Sequence, residues 1–401
     1  MGDSGRFSAL AFRDFRLFWF GQIISLSGTW MQTVAQGWLV YSLTKSPLHL
    51  GMVAAANALP ILLFSVPGGL IADRYPKRNL LLLTQALSII PALLLGILTG
   101  SGSVSVWHVA MLAFILGTIN AIDIPVRQSF LAEMVGKSHV ANAVALNSAA
   151  FNGARIAGPV IAGIAIANLG IPACFYLNAL SFAAVIVALY RIETRGQGSG
   201  KSEGLIADFR KGIVFIKEQR EIKDVFLLIA VFSIMGLPYI SLLPVFAAEV
   251  FHSGPRGLGF LVGASGIGAL TAALSIAARR DITNKTRFMS FAALTFAIAI
   301  ILFSLSSIFW ISLFVIMAAG WGMVSYLALA NSYIQITVPD ELRGRVMSLY
   351  SLVVLGTVPI GNALLGLAAD HFGTPRAVSA SGIICLFGAC LFAKRYLANQ
   401  Q

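Results

Sequence analysis

The sequence predicts an all-α membrane protein of twelve transmembrane helices in two pseudo-symmetric six-helix bundles. Three observations carry that prediction. Of the 401 residues, 58% are hydrophobic and only 11% charged, against about 25% charged in a soluble domain. Apolar runs long enough to cross a bilayer, roughly 20 residues each, recur along the whole chain. The second half also repeats the first, faintly but in order.

The runs fall at 17–41, 47–71, 79–99, 105–130, 140–167, 172–191, 224–248, 256–278, 288–306, 308–336, 344–369 and 376–393. Each is far longer than the roughly 10-residue alternating segment of a membrane barrel, so helices are predicted and strands are not. The mean hydropathy of +0.85 agrees. A net charge of +12 does not call for a nucleic-acid partner. With both termini cytoplasmic, all of the 28 Lys and Arg residues except Lys45, Arg155, Arg256 and Arg376 fall on the cytoplasmic side, the bias that orients membrane proteins. The first run is too long for a cleaved signal and lacks a small-residue cleavage site. Arg13 and Arg16 hold its start inside.

Cys174, Cys385 and Cys390 have no metal-ligand spacing and read as packing residues. His49, His108, His139, His252 and His371 are scattered near helix ends, and no phosphate-cradling loop occurs. The sequence therefore gives no reason to expect a metal, a cofactor, ATP-driven chemistry or an enzyme.

The chain divides once. Residues 1–191 are expected to form the first bundle, 192–223 a cytoplasmic linker, and 224–401 the second bundle. The linker begins Gly/Ser-rich. Leu205, Ile206, Phe209, Ile213 and Ile216 then recur at helical spacing opposite Lys and Arg, either as an amphipathic helix on the membrane surface or as a solvated connection. Shifting the sequence by 208 places Leu50-Gly51 on Leu258-Gly259, Asp73 on Asp281 and Lys77 on Lys285. Shifting by 203 places Ser129, Val135, Leu146, Gly158 and Gly163 on Ser332, Val338, Leu349, Gly361 and Gly366. Parallel repeats of this kind build many transporter folds.

Between the second and third runs lies GGLIADRYPKRNLL, a short charged hairpin. It resembles the loop signature of the major facilitator superfamily through Gly69, Asp73, Arg74, Lys77 and Arg78, with Pro76 where many members have Gly. The likeness covers essentially the whole chain, and Asp281 belongs to a degenerate second copy. It implies a cytoplasmic gate, in which a carboxylate accepts bonds from a helix N-terminus; a topology anchor is the simpler role. GTWMQTVAQGWLVYSLTKSPLHLG, DIPVRQSFLAEMV and RIAGPVIAG are similar to the third drug:proton antiporter branch, which exports drugs, macrolides and siderophores. The last segment matches the antiporter signature only loosely, through Gly153, Gly158, Pro159 and Gly163.

Charge inside a span asks for a reason, since it costs at least about 2.5–3.5 kcal/mol on insertion scales. Asp123 lies about 15 Å of helix rise before Glu133, with Arg127 at i+4 and Arg155 deep in the fifth run. The group can be a permanent pair that fixes the fourth helix, a proton-exchanging site, or a substrate contact. At the shift of 203 the second half offers Tyr326, Ala330 and Val358 instead, so coupling is expected in the first half. Gln22, Ser25, Thr29, Gln32 and Gln36 form one polar face of the first helix, which lines a cavity or bonds neighbouring helices. Asn57, Asn120, Asn147, Tyr239, Tyr326, Asn331 and Gln335 are candidates to join it. Trp38 and Trp321 offer greasy walls or interface anchors.

The resemblance implies a monomeric, proton-coupled exporter of small amphipathic compounds in a bacterial inner membrane. It would act by alternating access, with a small-molecule substrate, protons and the lipid bilayer as partners. An importer or lysolipid flippase on the same scaffold, or a membrane receptor without flux, are the alternatives.

Overall fold

The computed structural model describes residues 8–136, 138–196, 213–279 and 284–398. Twelve long helices and no strand occur among them, as the composition predicts. The first six are α1 Arg13–Thr44, α2 Pro47–Arg74, α3 Lys77–Gly100, α4 Val106–Val135, α5 Val140–Leu169 and α6 Ile171–Arg191. The next six are α7 Arg220–Val250, α8 Gly254–Ala277, α9 Lys285–Leu305, α10 Phe309–Thr337, α11 Asp340–Phe372 and α12 Thr374–Ala398. Eleven of them are long and apolar enough to span a bilayer. At 32 residues α1 is also long enough, but its face of Gln, Ser and Thr makes it the less apolar one. Of the expected amphipathic segment, residues 205–212 lie outside the described residues; residues 213–218 are helical.

The chain separates into two compact units. One holds Met1–Thr44 and Ala56–Ser202; the other holds Lys45–Ala55 and Glu203–Gln401. In the first unit, α1 packs on α5 and α6, and α3 packs on α4 and α6. Phe15, Phe18, Leu81, Phe130, Val185 and Leu189 form its buried apolar core. In the second, α10 packs on α8 and α9, and α9 also packs on α12.

Turns and caps follow from local chemistry. Ser105 and His108 cap α4 reciprocally: the His108 amide donates to the Ser105 hydroxyl, and the Ser105 amide donates to His108 Nδ1 at 3.1 Å. Gly170 ends α5 and Gly373 ends α11, both at φ +87°, a conformation open to glycine at no steric cost. They are 203 residues apart, the same offset as the sequence repeat.

Helix α7 is not uniform. Phe232–Gly236 and Phe246–Val250 are π turns, with a 3-10 stretch at Leu237–Leu242 between them. A π turn loosens the ladder of backbone bonds, and the Ser381 hydroxyl donates to the carbonyl of Met235 there.

Close helix crossings in each unit rest on small residues. A Cβ built at Gly268 would meet the Met317 carbonyl, and one at Gly320 would meet the Ser265 carbonyl, both well inside contact distance. The α8 and α10 backbones touch at this point, as small residues allow in membrane bundles. Gly68 and Gly117 do the same for α2 and α4, against the Ala121 and Asn57 carbonyls. Gly320→Val is therefore expected to cost about 1–3 kcal/mol through overpacking, seen as a lowered Tm of the detergent-solubilised protein. Gly344→Ala, where a Cβ meets nothing within 4 Å, should leave Tm unchanged or raise it.

Candidate functional site

The first unit contains a buried charged network built from three helices. Asp123 on α4 is 1% exposed. Its Oδ1 accepts from Thr84 Oγ1 at 2.7 Å and from Gln85 Nε2 at 2.8 Å, both on α3. Its Oδ2 pairs with Arg127 one turn along α4. Arg127 in turn donates to Gln22 Oε1 on α1 at 2.8 Å. The carboxylate is thus stripped of bulk water but held by three donors, the condition for keeping a charge inside a protein. Arg127 is the more open member, with 19% of its side chain exposed against 2% for Asp123.

Three polar atoms of this network are buried without a protein partner: Gln22 Nε2, Gln85 Oε1 and Arg127 Nε. Their concentration around one carboxylate is unusual, because buried polar atoms are nearly always paired.

Arg155 on α5 takes a different position. It is 8% exposed, and its guanidinium lies 5.6 Å from the centre of the Trp30 ring on α1, a cation–π arrangement. Trp30 also meets Phe151 edge-on. Close α1–α5 contact is possible because Gly158 has no side chain: a Cβ there would meet Ser27 O at 2.6 Å and Trp30 Cβ at 2.7 Å.

The polar face of α1 points into the first unit. Gln22, Ser25 and Gln32 are buried, while Thr29 and Gln36 are half-buried. Gln32 Oε1 accepts from Asn178 Nδ2 on α6 at 2.6 Å, and Thr29 Oγ1 donates to the Ser25 carbonyl. Asn57, Asn120 and Asn147 are half-buried in the first unit. In the second unit, Tyr239 and Tyr326 are fully buried. Tyr239 shares a hydrogen bond with Ser265, and Tyr326 packs 4.8 Å from the Phe232 ring with its hydroxyl unpartnered. Gln335 donates to Asn331 at 2.6 Å on the surface of α10. Trp38 meets Tyr41, and Trp321 meets Phe288 and Phe291.

The charged hairpin ties elements of the first unit together. Lys77 is buried and pairs with Glu133 at the end of α4. Arg78 donates to the Leu189 and Tyr190 carbonyls at the C-terminus of α6, where a cation complements the helix dipole. Arg74 is exposed, and Gly69 has open space beside it. The Asp73 side chain and Asp281 lie outside the described residues. Asp14 on α1 accepts from the Glu193 amide and from the amide and hydroxyl of Thr194.

Sequence reasoning missed Thr84 and Gln85. Their signal was present: a Thr-Gln pair within the leucine-rich third run, four residues before Ser88. It also missed Asn178 on α6, another amide in an apolar run.

The chain matches the family described as transmembrane secretion effector over residues 4–401. It is 26% identical over 389 residues to the Staphyloferrin A transporter of Staphylococcus aureus, covering 95% of this chain and 96% of that one. It is also 26% identical to the multidrug efflux pump Tap of Mycolicibacterium fortuitum, covering 88% of each. A solved POT family transporter superposes with a TM-score of 0.77 at 13% identity, covering 97% of each chain.

A buried pair behaves as a unit, because removing one partner strands the other. Arg127→Met should therefore destabilise the protein by about 3–5 kcal/mol, and Asp123→Asn/Arg127→Met by clearly less than that single change. Thermal unfolding of both proteins at neutral pH checks this; additive losses would mean that the two groups do not act together.

Proposed function

The chain belongs to the transmembrane secretion effector family of the major facilitator superfamily, and from that premise we propose that it is a proton-coupled exporter of small amphipathic compounds. Secondary transport follows from the family; the coupling ion, the direction and the substrate class are our reading. The observation that carries it is the buried Asp123 carboxylate, bonded by Arg127, Thr84 and Gln85 inside the first unit. A carboxylate so placed can be ionised or hold a proton, and the two states differ by one in the charge of the span.

In this reading Asp123 exchanges a proton while Arg127, bonded to both Asp123 and Gln22, keeps its charge. The 19% exposure of the Arg127 side chain supports access from that side. The half-buried Thr29, Gln36, Asn57, Asn120 and Asn147 offer the substrate hydrogen-bonding groups amid apolar surface, while Gln22, Ser25 and Gln32 are buried among the helices. The names of the relatives, a Staphyloferrin A transporter and a multidrug efflux pump, support transport of small compounds, and the second supports efflux. The chain would lie in a bacterial inner membrane with both termini cytoplasmic, as the distribution of Lys and Arg supports. It would act as a transporter with no cofactor or catalytic step, by exposing its substrate site to the two sides in turn.

Asp123→Asn leaves Arg127 without its counter-charge and should lower Tm; per folded protein in proteoliposomes, pH-gradient-driven export should still fall at least tenfold. Unchanged export would remove Asp123 from coupling, and a direction-resolved flux assay with a siderophore, a macrolide and a lysolipid separates export from import or flipping.

A further inference from the structure

The Asp123 carboxylate poses a problem that its neighbours must solve. Ionised, it needs donors; protonated, it becomes a donor itself and needs an acceptor. With 1% of the residue exposed, bulk water cannot serve both states, and a stranded polar atom there costs the full desolvation penalty.

We propose that Thr84 is a positioning residue for proton exchange, a hydroxyl rotor that satisfies Asp123 in both protonation states without moving a heavy atom. This inference rests on the reading of Asp123 as the coupling group. Thr84 Oγ1 lies within hydrogen-bonding distance of two acceptors, Asp123 Oδ1 at 2.7 Å and the Leu81 carbonyl at 3.1 Å. It carries one proton and can serve only one of them at a time. When Asp123 is ionised, the hydroxyl donates to Oδ1. When a proton from the aqueous phase adds to Oδ1, the new O–H donates to Thr84 Oγ1, and the Thr84 proton swings to Leu81 O. No bond other than the O–H on Asp123 forms, no group leaves, and Arg127 keeps its charge.

Gln85 completes the arrangement. Its Nε2 meets the same oxygen at 2.8 Å and can keep donating to a remaining lone pair of Oδ1 in either state, so the carboxyl group stays in register with α3. Ser88, one turn on, donates to the Thr84 carbonyl at 2.7 Å. Glutamine at position 85 and threonine at 84 therefore divide the work: one holds the oxygen, the other changes direction.

Other charges around the site leave this division intact. Arg127 on α4 is the ion-pair partner of Asp123 among the described residues. The charged residues of α3, Lys77 and Arg78, are in its first turn, and Lys77 pairs with Glu133. Those of α1, Arg13, Asp14 and Arg16, are also in its first turn. Arg155, the charged residue of α5, lies over Trp30. Helix α2 carries His49 near its start and Asp73 and Arg74 at its end.

The test is the pH profile of export by the full-length protein in proteoliposomes, with a macrolide as the transported probe. Thr84→Val keeps the shape and removes the hydroxyl. Bonds to a charged acceptor are worth more than bonds between neutral groups, so the ionised state loses more, and the half-maximal pH should rise by about one unit with kcat reduced severalfold and KM little changed. Thr84→Ser restores the hydroxyl and should return the midpoint to the wild-type value. A Thr84→Val protein with wild-type midpoint and kcat, or a Thr84→Ser protein that shifts as Val does, overturns the rotor while leaving Asp123 in its role. Export that stays pH-coupled in Asp123→Asn overturns the coupling reading itself, and the rotor with it.

Discussion

A carboxylate removed from water must be bonded on every side that matters, and the first unit is arranged around that requirement at Asp123. Its three donors come from α3 and α4, and the guanidinium among them is steadied from α1 by Gln22. One charge therefore sets the rotation and register of three helices at once. An apolar residue in its place would pack with many rotations of α3; the pair of bonds from Thr84 and Gln85 accepts very few. The cost of burying the ion is offset only by this geometry, and this explains why the leucine-rich α3 carries Thr84 and Gln85 against α4.

The second unit shares the scaffold but not the charge. Both units have a glycine-backed crossing, α2 with α4 and α8 with α10, and a left-handed glycine between the fifth and sixth helix. Both also fasten the start of their first helix to the chain at the end of their sixth. Asp14 accepts from the segment after α6, and Asp224 pairs with Arg395 while the Glu221 carbonyl accepts from Tyr396. Where the first unit has Asp123, however, the second has Tyr326, buried against Phe232 and Phe296. Packing is duplicated between the units, whereas the buried charge at this position is not.

The fold was legible in the sequence because a bilayer leaves few alternatives. Twelve apolar runs could only be helices, and each run lies within the corresponding helix to a few residues. The repeat was legible as well: Gly170 and Gly373 share the offset of 203 read from other residues. The site was legible by half. Asp123 and Arg127 were conspicuous, since charge in a span is rare. Arg155 was conspicuous too, yet its ring partner Trp30 could not be read, because cation–π contact needs no polar residue. Thr84 and Gln85 were obscured because neutral polar residues are tolerated in spans, and nothing in their spacing says which neighbour they face. The polar face of α1 was visible by its period, but not that Gln22 and Gln32 would find partners on two different helices, α4 and α6.

The links from α4 to its neighbours are unequal, and their inequality has a direction. To α3 it is joined by two bonds at Asp123 and, about 15 Å of helix rise further on, by the Lys77–Glu133 pair. Two attachments that far apart resist both sliding and rotation, so α3 and α4 act as one body at this end. To α2 it is joined by backbone contact at Gly68 and Gly117, where no side chain can rearrange. To α1 it is joined by the bond from Arg127 to Gln22, whose other amide atom is buried and unpartnered. Arg127 is the member of the network that connects Asp123 to α1. The network is thus stiffer toward α3 than toward α1, where the polar face of Gln22, Ser25 and Gln32 begins.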